Sequence, residues 1–361
     1  MVANTRKMYE LKLTIDEVLK YEDECLRLVE GLVEMQRLDL NKVDEMKKLT
    51  GGEEFLNGFI SPIDSEELFQ NRYLTDIKVG SNRNEKLFLS KKRIIRPNYV
   101  VCTGPDSRDE NFMPIRKWGY FDQKVSLPAI WENGTSVCWM TVEPYEINTF
   151  AEFASSAKGR ILLGGCGLGY IAYMLSLKDE VSEITIVEKD KNVIDLFENS
   201  ILPQFENKDK IKIVEGDIIE YLKVADLSQF DEVNIDVWRD YVDMIYIYLP
   251  SLVVEHDNPQ VKFSYWLEEN LRYQVGKSIL KAFTEKSDLN DILDIIGKYI
   301  LDNAEVNNVN DLRNLIKLDN MRELLYSWYL DNVELTDKLG DKTSRELDKF
   351  MKMSREIFQG K

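Results

Sequence analysis

A single histidine, His256, occurs among the 361 residues. A Ser-His-Asp or Cys-His nucleophile would have to use that one residue or do without. Catalytic zinc held by two or three histidines is excluded. Any chemistry therefore falls to carboxylates, tyrosines or the reactivity of a bound small molecule. Cysteine is sparse as well: Cys25, Cys102, Cys138 and Cys166 lie far apart with no CxxC spacing. That pattern points to no zinc site and no disulfide framework, and to a reduced, cytoplasmic protein. No apolar run reaches the roughly 18 residues of a membrane span. The stretch "MVANTRKMYELKLTIDEV" lacks the apolar centre of a signal peptide. Positive charge is in short supply, with 47 Lys and Arg against 64 Asp and Glu for a net charge of −17. Residues 151–255 are the most lopsided, with 10 basic and 20 acidic side chains. Nonspecific nucleic-acid binding rests on cationic contacts to phosphates, so it is disfavoured. A cationic or neutral small molecule suits such a field.

What is present is an ordered alternation of patterns. "TIDEVLKYEDECLRLVEGLVEMQ" spaces Val18, Tyr21, Cys25, Leu28, Val29, Leu32 and Val33 by three and four, which predicts a helix within 14–48. Thr14 and Glu17 form a capping-box signature, and Gly51-Gly52 ends the pattern. Asp64 opens a second predicted helix near 64–73. Residues 76–150 turn β-prone, in "KLFLS", "NYVVCTG", "KVSLPAIW" and "TSVCWMTV", with an Asn-Gly turn in "ENGTS". These read as antiparallel strands or hairpins.

From 159 onward strands and helices alternate. "RILLGG", "EITIVE", "KIKIVEGD", "FDEVNID" and "VKFSYW" read as strands. "YIAYMLSLK", "KNVIDLFENSILPQF", "IIEYLK" and roughly 240–256 read as the helices between them. Strands so dense in Ile and Val belong to a parallel sheet buried on both faces. The expectation is an α/β fold: a Rossmann-like, doubly wound, mostly parallel sheet. An N-terminal helical plus β-hairpin region precedes it and a helical C-terminal extension follows. The boundaries fall at 1–75, 76–150, 151–265 and 266–361. The extension carries "DILDIIGKYIL", "DLRNLIKLDNMRELLYSWYL" and "SRELDKFMKMSREIF", all with apolar stripes suited to packing or to a homodimer contact.

Ligands of such sheets bind outside the C-terminal strand ends, beside the first strand. There the chain has "GRILLGGCGLGYIAYML". The dinucleotide pattern GxGxxG fits Gly165 and Gly167 but meets Tyr170 at its third place, which counts against an NAD-dependent oxidoreductase. The pattern GxGxG fits Gly165, Gly167 and Gly169 without exception. Glu188 ends the next strand, where a carboxylate can accept two ribose hydroxyls. Asp217 follows Gly216 after the third strand, with Ile218 beside it. Asp217 can accept from an adenine amino group, or cap the next helix, or both.

With those three features in order, residues 150–265 resemble the class I S-adenosylmethionine-dependent methyltransferase family. The resemblance implies an S-adenosylmethionine site with Gly165, Gly167 and Gly169 near the methionine portion, Glu188 on the ribose, and Asp217 and Ile218 at the adenine. Many members carry an acid two residues before the first glycine; here that residue is Leu163. The methionine ammonium then falls to backbone carbonyls or Asp236.

Within the superfamily the chain looks most like the spermidine synthase branch. The likeness rests on Gly164-Gly165 after the first strand, on "VEPYEINTF" before it, and on "VEKDKNVIDLFENSILPQF". Two positions depart. That group carries an Asp in the glycine loop where Gly167 stands. It also carries a second Asp three residues after the catalytic one; Asp236 matches the first, and Arg239 takes the place of the second. An inward Arg239 would oppose a diamine cation by roughly 4 kcal/mol at about 4 Å and an effective dielectric near 20, with Asp240 offsetting part. The Asn/Asp-Pro-Pro-aromatic motif of DNA amino-methylating relatives is absent from "DVWRDY". The expected activity is therefore methyl transfer to a small-molecule acceptor. Asp236 is the candidate base, and Tyr145, Glu146 and Trp238 are placed to line the substrate face. The alternatives are aminopropyl transfer and a non-catalytic nucleoside-binding scaffold. No metal site, nucleic-acid partner or membrane contact is expected, and His256 is assigned a structural place.

Overall fold

The computed structural model describes residues 14–24, 27, 60–109, 112–135, 137–238 and 241–359. The first helix, α1, covers 14–24 and buries Ile15, Val18 and Leu19 as the three-and-four spacing requires. The rest of the helix predicted for 14–48, including Cys25, and the break at Gly51-Gly52 lie outside the described residues, as do Arg239 and Asp240. The single helix predicted near 64–73 is instead two short ones, α2 (Ser65–Leu68) and α3 (Arg72–Asp76). Asp64 caps the first by accepting from Glu66 N–H at 2.8 Å, and Asn71 opens the second by accepting from Tyr73 N–H at 3.0 Å.

Two small sheets follow from the β-prone region. β1 (Ile60–Pro62), β5 (Pro114–Tyr120) and β4 (Val100–Arg108) form one; β2 (Asn82–Arg83), β3 (Leu87–Ile95), β6 (Val125–Glu132) and β7 (Cys138–Thr141) form the other. The second is antiparallel throughout, as expected. The first is mixed, because β1 runs parallel to β5. Sequence reading missed β5, "PIRKWGY", because its Arg, Lys and Gly break the apolar alternation; its Arg116 is nonetheless buried at 5 % exposure. In the Asn-Gly turn Gly134 takes φ 74° and Glu132 N–H donates to Val137 C=O at 3.1 Å.

Helix α4 (Pro144–Ser156) leads into the parallel sheet. That sheet is built from β8 (Gly159–Gly164), β9 (Val181–Glu188), β10 (Ile211–Glu215), β11 (Glu232–Ile235) and β12 (Lys262–Tyr265), in the order β10-β9-β8-β11-β12 with every pairing parallel. Strand alternation divides the core in two. Ile161, Leu163, Ile184 and Ile186 join one hydrophobic cluster with α5 (Tyr170–Ser176) and α6 (Lys191–Leu196). Leu162, Val187, Val233 and Ile235 join the other, with α7 (Ile218–Val224) and α8 (Tyr241–Asp257). Trp266, just past β12, packs against both clusters. The single helix expected over "KNVIDLFENSILPQF" breaks up: α6 widens into one π-turn at Phe197–Ile201 and tightens into a 3₁₀ turn at Leu202–Gln204, where Pro203 withdraws its donor.

The C-terminal helices are α9 (Glu268–Phe283), α10 (Ile292–Asp302), α11 (Val309–Leu315), α12 (Leu318–Asp331) and α13 (Val333–Gln359). The predicted "DLRNLIKLDNMRELLYSWYL" helix is thus two. Among the described residues no helix is long and apolar enough to cross a membrane. A buried ion network fastens α1 to this framework. Glu22, fully buried, accepts from Arg108 at 2.9 Å and lies 3.2 Å from Lys277. Burial alone would raise the Glu22 carboxyl; Arg108 and Lys277 overcome that and hold it below the usual range. Arg108 also stacks on the Phe112 and Tyr273 rings at 5.0 and 4.3 Å.

Candidate functional site

The loop after β8 is shaped by three glycines with positive φ: 97° at Gly165, 50° at Gly167 and 69° at Gly169. What each one makes room for is protein. A Cβ on Gly165 would overlap the Asp236 carbonyl oxygen, one on Gly167 the thioether of Met140, and one on Gly169 the ring of Phe197. Gly164 is tight as well: a Cβ there would sit 2.8 Å from Ile218 Cγ1. The loop is therefore held between β7, α6, α7 and the residues after β11. Gly169 ends it in the left-handed conformation that starts α5.

Glu188 buttresses this loop. One carboxylate oxygen accepts from Cys166 N–H at 3.0 Å and the other from Asp190 N–H at 2.8 Å. Each oxygen keeps a second lone pair for a ligand hydroxyl. Asp217 lies across the strand ends and caps α7, accepting from Ile219 N–H at 2.9 Å. Its second oxygen is 3.8 Å from Lys189 Nζ. Gly216 N–H donates to the Glu188 C=O at 3.0 Å, which ties the ends of β9 and β10 together. Ile218 is buried at 3 % exposure, under Gly164. Leu163 is buried at 1 %.

Asp236 follows β11 with its backbone N–H on Gly164 C=O at 2.8 Å. Burial pushes its carboxyl up to about 8, and the negative charge of Glu188 adds to the rise. On the first turn of α4, burial carries the Glu146 carboxyl well above its ordinary range, and the charges of Asp236 and Glu143 push the same way. Glu143 is raised by burial against the pull of Arg93, which approaches it at 3.4 Å. Asp236 thus feels the charge of Glu188, and Glu146 that of Asp236, at one end of the sheet. Among the described residues no three His, Cys, Asp or Glu side chains converge closely enough to hold a metal ion.

An aromatic wall stands beside the carboxylates. Trp266 stacks on Phe150 at 5.9 Å and meets the Tyr145 ring edge-on at 6.1 Å, and its indole N–H donates to Thr149 Oγ1 at 2.8 Å. Trp238 is buried and donates its indole N–H to Trp266 C=O at 3.0 Å. Sequence reasoning had Tyr145, Glu146 and Trp238 on this face. It missed Trp266 and Met140, which reach the site through the ends of β12 and β7 and carry no motif of their own. His256 lies in the last turn of α8, half-exposed and stacked on Tyr326 at 4.3 Å.

No protein-family model matches the chain, and no curated sequence does. Similar solved structures include spermidine synthase from Thermotoga maritima, 15 % identical over 53 % of this chain and 64 % of that one, with a TM-score of 0.27. Another is a spermidine synthase in complex with the transition-state analogue AdoDATO, 14 % identical over 54 % of this chain and 72 % of that one, with a TM-score of 0.28. The chain spans less than two thirds of the Thermotoga maritima enzyme's length. At such TM-scores the likeness assigns no residue and no activity.

Proposed function

We propose that the strand-end crevice binds a sulfonium nucleoside of the S-adenosyl type and transfers an alkyl group from it to an amine. The observation that supports this reading is the group of carboxylates beside the glycine loop: Asp236, raised by burial and the charge of Glu188, and Glu146, raised by burial and the charges of Asp236 and Glu143. Enclosed carboxylates of this kind gain most from a cation.

The charge favours an aminopropyl donor over a methyl donor. S-adenosylmethionine carries a sulfonium, an ammonium and a carboxylate; the decarboxylated compound lacks the carboxylate. One unit of charge about 6 Å away is worth roughly 3 kcal/mol at an effective dielectric near 20. That is enough to separate the two donors by about 100-fold. A second reading, methyl transfer, is favoured by one feature: Gly167, under Met140, leaves the loop without an acid of its own.

In either case the sulfonium supplies an activated leaving group, and the chain supplies orientation and a proton acceptor. Glu188 would hold the ribose hydroxyls and Asp217 the adenine amino group. Trp266 and Tyr145 would wall the acceptor. Asp236 takes the proton that the acceptor nitrogen sheds as its lone pair forms the new N–C bond. The C–S bond breaks with its electron pair left on sulfur. The sulfonium and ammonium of a bound donor would draw the Asp236 carboxyl down from near 8 toward the ionised form that accepts this proton.

Calorimetry of the full chain with decarboxylated S-adenosylmethionine, S-adenosylmethionine and its demethylated product tests the reading. Tighter binding of the decarboxylated compound, by about tenfold or more, and an aminopropylated diamine in the mass spectrum are the expected results. Tighter binding of S-adenosylmethionine with a methylated amine would move the assignment to the second reading. No binding of any of the three would end both.

A further inference from the structure

The residues after β11 that carry Asp236 are pinned at two points. At the near end Asp236 N–H is held by Gly164 C=O at 2.8 Å, and its own carbonyl oxygen fills the space above Gly165. At the far end the Trp238 indole N–H is held by Trp266 C=O at 3.0 Å. Val237 between them is exposed at 36 %, so it gives the segment little anchorage. The second pin is only as firm as Trp266, and Trp266 is fixed from three sides. Its N–H donates to Ile235 C=O at 3.0 Å, its indole N–H to Thr149 Oγ1 at 2.8 Å, and its ring lies on Phe150. The chain beyond it turns through left-handed Leu267, at φ 63°, into Glu268. A left-handed leucine is costly unless its surroundings impose it. Glu268 is gripped by Arg322 of α12 through two bonds, at 2.7 and 2.6 Å, and by the Tyr248 hydroxyl at 2.5 Å.

We propose that Trp238 is a positioning residue for Asp236, and that α12 acts on the crevice through Arg322, Glu268, Trp266 and Trp238 in turn. The proposal deepens the functional reading above, since it takes Asp236 as the base. The indole bond sets where the Asp236 carboxyl sits among the groups that face it: Glu188 at the end of β9, Glu146 on α4, and Glu143 just before α4 and paired with Arg93. Its place decides how much water reaches it and how strongly Glu188 pushes on it.

The test is Trp238→Phe, which keeps a ring and deletes the donor. The Asp236 carboxyl is titrated by carbon NMR in the full chain, with Asp236→Asn to assign the signal. The wild type is expected to titrate near 8. In Trp238→Phe the midpoint falls by about one pH unit or more, as the carboxyl swings toward water. On the transferase, kcat falls roughly tenfold or more while donor affinity stays within about twofold. Thr149→Val, which loosens Trp266 from its other side, moves the midpoint the same way by less. It reads the same link should Trp238→Phe fail to fold. An Asp236 midpoint unchanged in both variants overturns the proposal. The titration needs no substrate, so it stands or falls apart from the calorimetry with the sulfonium donors.

Discussion

Replacing Asp236 with Asn should stabilise the protein in alkali and leave it nearly unchanged in acid. In the folded chain the Asp236 carboxyl holds its proton up to about 8; its ordinary value is 3.8. Between those two values the unfolded chain has lost the proton and the folded chain has kept it. Stability therefore falls with rising pH across that window, by about 1.4 kcal/mol per pH unit. Below the ordinary value both states are protonated and the effect vanishes; above about 8 the full cost is present. Asn cannot ionise, so its stability lacks this slope. From pH 6 to pH 8 the wild type should lose roughly 3 kcal/mol that Asp236→Asn keeps. Allowing half of that for water reaching the carboxyl still leaves more than 1 kcal/mol. Glu146 reinforces the difference, because the charge of Asp236 helps to raise it and Asn relieves it. Urea unfolding of both proteins at pH 5, 6, 7 and 8 measures the slope. Parallel curves for wild type and variant would refute the enclosed, mutually repelling carboxylates on which the site rests.

Two further substitutions probe the framework. Gly169→Ala puts a Cβ into the Phe197 ring at a left-handed position. It should cost about 2 kcal/mol or more in urea unfolding, and an unchanged midpoint would mean that the loop is not seated on α6. Arg108→Met removes the partner of a fully buried Glu22 and should destabilise by roughly 3–5 kcal/mol at neutral pH. Much of the loss should return at low pH, where Glu22 is protonated; a loss independent of pH would place the cost in packing instead.

The parallel sheet and the acids at its strand ends were legible because their signals are local. Runs of Ile and Val give the strands; Glu188 and Asp236 each stand one step past a run, and Asp217 three steps. The glycine loop was legible as a loop, but not what it wraps. Met140 and Phe197 fill the spaces that Gly167 and Gly169 leave, and nothing in GxGxG names them. The aromatic wall was hidden for a related reason. Trp266 meets Thr149 across 117 residues and Trp238 across 28, distances at which spacing carries no message. Glu22, 86 residues from Arg108, read as one charge on an acidic helix. The broken helix after β9 misled because Leu-Pro near its end resembles an ordinary stop, whereas the π-turn sits before it. The adjacent charges of Arg116 and Lys117 masked β5, since a strand that buries an arginine does not look buried.

The Glu22 network also bears on the order in which the molecule can assemble. Its carboxylate is fully enclosed by Arg108 of β4 and Lys277 of α9. Docking α1 before both cations are in place would strand a buried negative charge. The full pairing of the earliest described helix can therefore close only after the chain has grown past residue 277. Until then the Glu22 carboxylate lacks one of its two cations, while more than two hundred residues are added.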